Sequence, residues 1–271
     1  MAVGAAALWV SGERQAAPRR ERVAHHAPAP VPVVTGVAAS SAAAVPSPAA
    51  IRRAWRYARR RGGAVSLAVV DTRGRLRGRA MWRRYPSASV VKAMLLAAEL
   101  RRLRRARQAL DGPTLELLRA MITLSDNDSA DAIYARVGDT GLRAVARATG
   151  MRRFGVAASW GYAQITAADL AVFFARLRAI LPRRQRRTAL GLLSALTPEH
   201  RWGLVRAARG RWRAYAKGGW RETGKGELVH QAAWLRDGGR SLAVAILTDG
   251  QPSHLYGVHT VRGIANRLLH P

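Results

Sequence analysis

The chain has 271 residues, of which 49% are hydrophobic, so it can bury the core of one large domain or of two closely packed subdomains. It carries 46 Lys and Arg against 16 Asp and Glu, a formal net charge of +30, which indicates either an anionic partner or a solvated basic surface. It has no cysteine, which excludes disulfides, thiolate zinc sites and a cysteine nucleophile.

The first 47 residues are predicted to lie outside the folded domain. Residues 1–10 are apolar, residues 11–22 are polar and charged, and residues 24–48 are mostly Ala, Pro, Val and Ser, a composition typical of linkers. An apolar segment followed by a linker predicts a secreted or N-terminally anchored, extracytoplasmic bacterial protein, although the positive start and the cleavage site of a signal peptide do not stand out. A disordered tail is the alternative. We place the folded domain at residues 48–271.

The predicted elements of this domain are a helix, two strands, a block of helices, three strands and a last helix. Ser47 is the expected N-cap of the first helix and Pro48 its first residue. Strands are predicted at 64–70, 75–80, 212–217, 227–235 and 241–248, and a loop at 85–88. Further helices are predicted at 89–108, 114–124, 129–137, 140–149, 166–180, 184–196 and 253–269.

This order of elements predicts the fold class. Strands that follow one another as hairpins favour an antiparallel sheet, and helices then cover both of its faces. We expect an α/β (α+β) sandwich with a five-stranded antiparallel sheet, flanked by the terminal helices and joined to a central all-helical subdomain.

Two short motifs suggest a reactive serine. Ser89 and Lys92 are three residues apart on a predicted helix, so they share one face, and Ser89 lies in the first turn, where free N–H groups favour an oxyanion. The segment after Lys92 is apolar, and burial lowers the pKa of a lysine toward the range of a base. The sequence Ser125-Asp126-Asn127 follows, and alone it would be interpreted as a turn or a helix cap.

The use of lysine strengthens this interpretation. The chain has three lysines, Lys92, Lys217 and Lys225, so the other 43 of its 46 basic residues are arginines. Arginine cannot be deprotonated at working pH, whereas lysine can. A proton-transfer role at Lys92 explains why lysine is retained there. Lys217, in Lys217-Gly218-Gly219, supplies a compact charge, and Lys225 is interpreted as part of a Gly-rich turn.

The ordered set S-x-x-K, S-D-N and K-[TS]-G resembles class A β-lactamases and their penicillin-binding relatives, from about residue 48 to the C-terminus. The resemblance implies a serine hydrolase acylated at Ser89, with Lys92 as general base and Ser125 relaying a proton to the leaving nitrogen. The substrate contacts that it implies are Asn127, Lys217, Gly219 and the oxyanion-hole N–H of Trp220, which acts with that of Ser89. It implies β-lactams or D-alanyl peptide or ester substrates, a monomer, and neither a cofactor nor a metal.

Two departures from the family pattern limit this function. Gly218 replaces the residue whose hydroxyl helps to bind a substrate carboxylate. The stretch at residues 152–164, where class A enzymes hold the Glu that activates the deacylating water, has no Asp or Glu. Asp169 is expected to be structural, while Trp160 and Tyr162 are expected either to line the site or to be buried. We therefore expect slow β-lactam turnover.

Two other functions stay open at the level of sequence. One is a non-catalytic or weakly catalytic cell-wall-binding module of the same fold, whose basic surface holds anionic wall polymers. The other is nucleic-acid binding, which we favour least because the arginines are scattered and no nucleic-acid-binding motif accompanies them. We expect no specific nucleic-acid partner.

Overall fold

A computed structural model of the chain describes residues 45–270. The predicted apolar segment and most of the predicted linker lie outside the described residues. Within residues 45–270, no helix combines the length and the apolar character that crossing a membrane requires.

The described part of the chain contains eight α-helices and eight strands. The helices are α1 (Pro48–Ala58), α2 (Lys92–Arg105), α3 (Gly112–Arg119), α4 (Asn127–Thr149), α5 (Ala167–Ile180), α6 (Arg186–Ser194), α7 (Gly203–Ala208) and α8 (His254–Leu269). The strands are β1 (Ala64–Val70), β2 (Leu76–Arg79), β3 (Arg84–Pro86), β4 (Gly155–Ala157), β5 (Ser159–Thr166), β6 (Arg213–Thr223), β7 (Gly226–Asp237) and β8 (Arg240–Asp249).

The main sheet has five strands in the order β2-β1-β8-β7-β6, and each neighbouring pair is antiparallel. Helices α1 and α8 pack on each other, and α8 also packs on β7 and β8, whereas α5 packs on β1, β7 and β8. This arrangement confirms the predicted sandwich, because an antiparallel sheet with two buried faces needs helices on both.

A helical region stands beside this sheet. Helix α2 is buried on nearly all sides from Lys92 to Leu100 and packs along α4. Both the buried faces of α2 and the long α4 agree with the expected all-helical subdomain. Helix α4 joins the two helices predicted at 129–137 and 140–149, with a kink at Gly138, whose φ of 55° is left-handed.

Several boundaries differ from those predicted. The helix expected at 89–108 starts as a 3₁₀ turn, Ala88–Val91, and the one at 114–124 ends in a π-helical turn, Ala120–Leu124. The strand expected at 212–217 continues to Thr223 as β6, because its pairing with β7 extends to Thr223 and Gly226. The loop predicted at 85–88 was partly wrong, since Arg84–Pro86 is a strand.

A second small sheet, in the order β3-β5-β4, was not predicted. Strands β3 and β4 have three residues each, too few for a two-residue alternation to show in the sequence. Helix α7 was also missed, because six residues make fewer than two turns and are too few for a helical period to show in the sequence. This small sheet lies next to the segment that carries Ser89, because β5 pairs with β3 just before it.

Candidate active site

The sequence predicted that Ser89 lies in the first turn of a helix. It lies instead in the 3₁₀ turn that precedes α2. Ser87 N donates to Ala163 O at 2.8 Å and Ser87 Oγ donates to Trp160 O at 2.9 Å, so β5 fixes the turn from one side. Ala88 takes a left-handed φ of 44° without being glycine. Such backbone strain persists only where the surroundings impose it.

Buried His230 on β7 fixes the same segment from the main sheet. Thr248 N donates to His230 Nδ1 at 3.2 Å, so the ring hydrogen is on Nε2, which donates to Pro86 O at 3.0 Å. Burial is the main cause that lowers the pKa of His230 to about 4, against smaller opposing effects of backbone hydrogen bonding, that to Pro86 first, and of the Asp249 charge. The histidine is therefore neutral, and it joins β7 to the backbone three residues before Ser89.

Gly219 brings strand β6 against the backbone of the Ser89 turn. A Cβ atom added at Gly219 would lie 2.7 Å from Ser89 N and 2.7 Å from Val90 N, closer than real Cβ atoms approach backbone. Only glycine allows this contact. The contact places the Gly219–Trp220 peptide beside Ser89 N. The N–H groups of Ser89 and Trp220 would have to lie close together in this way to bind one oxyanion.

Lys92 is buried and donates three hydrogen bonds to the S-D-N segment. Its Nζ lies 2.5 Å from Ser125 O, 3.0 Å from Asp126 O and 2.7 Å from Asn127 Oδ1. Burial is the main cause that lowers the pKa of Lys92 to about 8, while the charges of Asp126 and Asp131 raise it. Among the described residues, no hydrogen bond joins Lys92 Nζ to Ser89 Oγ, so three carbonyl-type oxygens hold the ammonium.

Ser125 is presented by an irregular turn. The π-helical turn Ala120–Leu124 ends at Ser125, whose φ of 59° and ψ of 30° are left-handed. Asp126 then caps α4, because its Oδ1 accepts from Ser129 N at 2.7 Å. Single π-turns and left-handed non-glycine residues concentrate at functional positions. Here they aim Ser125 O at Lys92 and leave Ser125 Oγ free for a second lysine.

That second lysine is Lys217, on β6. Its Nζ donates to Ser125 Oγ at 2.9 Å and to Gly218 O at 2.9 Å, and its side chain is fully buried. Burial, and then the positive charge of Lys92, hold the pKa of Lys217 well below its usual range. Ser125 therefore bridges two lysines whose ammonium forms are both disfavoured.

The two aromatic residues after β4 take different positions. Trp160 is buried, and its indole Nε1 donates to Asp131 Oδ1 at 2.6 Å. Its ring centroid lies 4.8 Å from Lys92 Nζ. Tyr162 is 47% exposed, and the guanidinium of Arg221 lies 3.9 Å from the centre of its ring. Trp160 is thus a buried wall of the site, whereas Tyr162 stands at its surface.

Residues 152–164 form most of the small sheet and carry no carboxylate. The next acid, Asp169, is 1% exposed and accepts hydrogen bonds from Arg152 N at 2.6 Å and Arg153 N at 3.0 Å. The prediction that Asp169 is structural is therefore confirmed. Both of its oxygens are engaged by backbone N–H groups at the start of the segment.

The structure brings the predicted residues into one place. Lys92, Ser125, Asn127 and Lys217 form one hydrogen-bonded set, and Gly219 connects that set to the Ser89 turn. Trp220 follows directly, and its ring packs against two histidines.

Sequence reasoning missed a cluster of four rings that borders this set: His200, Trp202, Trp220 and His254. The seven histidines of the sequence show no metal-ligand spacing, so the sequence gives no reason to single out His200 or His254. Since the rings come from three separate stretches of chain, around residues 200–202, 220 and 254, no local pattern could have found the cluster.

Comparison with known proteins identifies a family. The sequence profile of the β-lactamase enzyme family matches residues 112–270, more than half of the chain. That range includes the Ser125 and Lys217 segments and starts after Ser89. No curated protein gives a significant sequence match.

Solved structures show the same fold at low sequence identity. A β-lactamase from Sphaerobacter thermophilus has a TM-score of 0.71 and 19% identity, covering 81% of this chain and 95% of that one. A class A β-lactamase from Mycobacterium abscessus has a TM-score of 0.71 and 20% identity, covering 81% and 98%. An ancestral class A β-lactamase has a TM-score of 0.68 and 22% identity, covering 80% and 98%.

Proposed function

The chain belongs to the β-lactamase enzyme family and is a serine hydrolase that acts on amide bonds, and from this premise we propose that its acyl-enzyme forms at Ser89. The observation that carries the proposal is the contact between Gly219 and the Ser89 turn. It sets the backbone N–H of Ser89 beside the strand that supplies the N–H of Trp220. Two such donors stabilise the negative charge that develops on a carbonyl oxygen under attack.

The acylation step uses the two lysines and Ser125. As Ser89 Oγ bonds to the substrate carbonyl carbon, Lys92 accepts the Ser89 proton, and collapse of the intermediate breaks the C–N bond. Ser125 delivers its hydroxyl proton to the leaving nitrogen and regains one from the Lys92 ammonium, so the Ser89 proton is in effect passed to the amine and Lys92 becomes neutral again. Lys217 holds Ser125 Oγ at 2.9 Å. A neutral lysine has two N–H groups, so Lys92 gives up one of its three present hydrogen bonds when it acts as base.

The pKa of Lys92 sets the working pH. With a pKa of about 8, about a tenth of the molecules carry a neutral Lys92 at pH 7. Burial lowers the pKa of the lysine enough for it to act as a base, whereas an arginine would keep its proton and its charge. This difference explains why lysine suits the position. Asn127, whose Oδ1 accepts from Lys92, is placed to orient it.

Deacylation has no evident catalyst in this site. The acids whose charges act on Lys92 are Asp126 and Asp131. The first caps α4 and the second holds Trp160. We therefore propose that water is activated slowly, by Lys92 once it is neutral again, and that the acyl-enzyme accumulates on β-lactams or on D-alanyl peptide or ester substrates. An extracytoplasmic location fits these substrates and the apolar first ten residues.

A fluorescent penicillin and a chromogenic β-lactam test this proposal. Fluorescent labelling should occur in the unchanged protein and disappear in Ser89→Ala, while Ser194→Ala, at the partly exposed last residue of α6, should be labelled normally. The chromogenic substrate should give a burst close to one equivalent and then slow turnover. Labelling that survives in Ser89→Ala, or rapid turnover without a burst, would contradict the proposal.

A further inference from the structure

The middle residue of the third motif, Gly218, faces an aromatic ring instead of open space. A Cβ atom added at Gly218 would lie 2.8 Å from Trp202 Cζ2 and 3.3 Å from Trp202 Cη2. A serine or threonine at this position would require the indole to move. The edge of Trp202 thus occupies the space in which a hydroxyl of the third motif would stand.

Trp202 belongs to the aromatic cluster defined above, the rings of His200, Trp202, Trp220 and His254. The Trp220 ring centroid lies 5.3 Å from that of His200, 6.5 Å from that of Trp202 and 5.1 Å from that of His254. His200 Nε2 is 2.9 Å from Leu124 O, the residue before Ser125. The cluster therefore extends from the Trp220 backbone to the Ser125 turn, along the side from which the leaving group departs.

Large apolar side chains are exposed at this same edge. Among the described residues, four are exposed: Leu124, Tyr162, Trp220 and Leu255, at 58%, 47%, 37% and 62%. Leu124 adjoins Ser125 and Leu255 adjoins His254 in the sequence. Arg221, the residue after Trp220, donates to Tyr162 Oη. Exposed apolar side chains that gather at one place on a soluble domain mark a binding surface.

The basic side chains nearby are already engaged by oxygen atoms of the protein. Lys217 is buried and bonded to Ser125 Oγ and Gly218 O. The residues paired with Gly218 and Trp220 on β7 are Gln231 and Val229, which carry no charge. Of the two arginines next to the cluster, Arg221 bonds to Tyr162 Oη and Arg201 Nε donates to Leu196 O at 2.6 Å.

We infer that the aromatic cluster is the leaving-group subsite, and that it selects esters and amides whose group on the Ser125 side is apolar or aromatic and carries no carboxylate. The inference rests on the proposed acylation of Ser89 and names the substrate class for it. Aromatic rings favour apolar and aromatic groups by burial and by edge-to-face contact. A carboxylate there would lose water without gaining the hydroxyl donor that a serine or threonine at position 218 would offer, which is costly.

Benzylpenicillin and its methyl ester form a matched pair of probes that differ at this one group. The rate constant for Ser89 acylation, followed by intact-protein mass spectrometry, should be about tenfold higher or more for the ester, a ratio equivalent to about 1.4 kcal/mol. Trp202→Ala should reduce this ratio, and the double variant Gly218→Thr/Trp202→Ala, which adds the hydroxyl and makes room for it, should reverse it. Trp82→Ala, which changes a tryptophan that contacts Arg153 and is not one of the four clustered rings, should leave the ratio unchanged.

Equal or faster acylation by the free acid in the unchanged protein would overturn the inference. If Trp202→Ala does not fold, as judged by its circular dichroism, Trp202→Leu serves in its place, and an unchanged ratio there would overturn the inference as well. A small alkyl fluorophosphonate, which has neither a carboxylate nor an aromatic group, separates the two proposals. Failure of that probe to label Ser89 overturns the proposed function, whereas labelling of Ser89 together with preference for the free acid overturns only the subsite.

Discussion

The indole ring of Trp160 covers the ammonium of Lys92, with 4.8 Å between the ring centroid and Nζ, while its Nε1 is bound to Asp131 at 2.6 Å. A ring face favours a nearby cation, and so does the carboxylate behind it. Both oppose the desolvation that lowers the pKa of Lys92 to about 8. Two groups outside the three motifs, Trp160 and Asp131, thus adjust the base on which acylation depends.

Asp131→Asn should lower the pKa of Lys92 further. The substitution removes a negative charge that stabilises the ammonium but keeps an oxygen that can accept from Trp160 Nε1. The pH midpoint of Ser89 acylation should therefore move to lower pH, by up to about one unit. Acylation rates measured from pH 5 to 10 test this, with Asp128→Asn, an exposed acid on the same helix, as the control. A midpoint that stays in place or rises would contradict this account of Trp160 and Asp131.

Lys92 should not tolerate replacement by arginine. Lys92→Arg keeps a positive charge but cannot give up its proton, and Lys92→Met keeps neither, so both should slow acylation about 100-fold or more. In the unchanged protein, the rate should rise about tenfold per pH unit below pH 8 and level off above it. Lys225→Arg, at the turn between β6 and β7, is the matched control. An active Lys92→Arg would assign the base to another group, with Lys217 the first to examine.

Gly219→Ala should damage the oxyanion site without unfolding the protein. The new Cβ would meet Ser89 N and Val90 N at 2.7 Å, so β6 must retreat from the Ser89 turn. Loss of one oxyanion donor costs about 100-fold to 1,000-fold in rate. Gly191→Ala on α6, where a Cβ meets nothing within 4 Å, should leave the acylation rate unchanged. Normal acylation by a folded Gly219→Ala variant would place the oxyanion donors elsewhere.

His230 should make the fold sensitive to acid. Its pKa is about 4 in the folded protein, against 6.5 for an ordinary histidine, so the unfolded chain binds more protons between these values. Stability from this group is full above pH 6.5 and is lost as the pH falls to about 4, by about 3 kcal/mol in total. Urea unfolding at pH 7 and pH 4.5 should show a smaller loss for His230→Gln than for the unchanged protein, whereas His259→Gln, at an exposed position, should behave like the unchanged protein. Equal losses in all three proteins would show that His230 does not carry this effect.

Much of the fold could be predicted because its elements are long and regular. Strand β1 has the predicted bounds, 64–70, since a run of small and β-branched apolar residues ends at a turn signal. The lysines were informative for a chemical reason. In a chain rich in arginine, Lys92 and Lys217 lie where burial lowers the pKa of a lysine and so favours the loss of its proton. Both lie in the hydrogen-bonded set around Ser125.

What could not be predicted depends on contacts between distant segments. The 3₁₀ turn at Ser89 is imposed by hydrogen bonds from Ser87 to β5 and from His230 to Pro86, over 70 residues or more along the chain. The position of Trp160 over Lys92, and that of Trp202 against Gly218, likewise follow from packing. A motif shows which residues take part, and the fold decides what surrounds them.

The central claim is that Ser89 becomes acylated, and peptide mapping by mass spectrometry tests it most directly. After incubation with benzylpenicillin methyl ester, the account predicts one adduct of the mass of the intact ester, located on the peptide that contains Ser89, and no adduct in Ser89→Ala. An adduct that maps to another residue, or that forms to the same extent in Ser89→Ala, would contradict it.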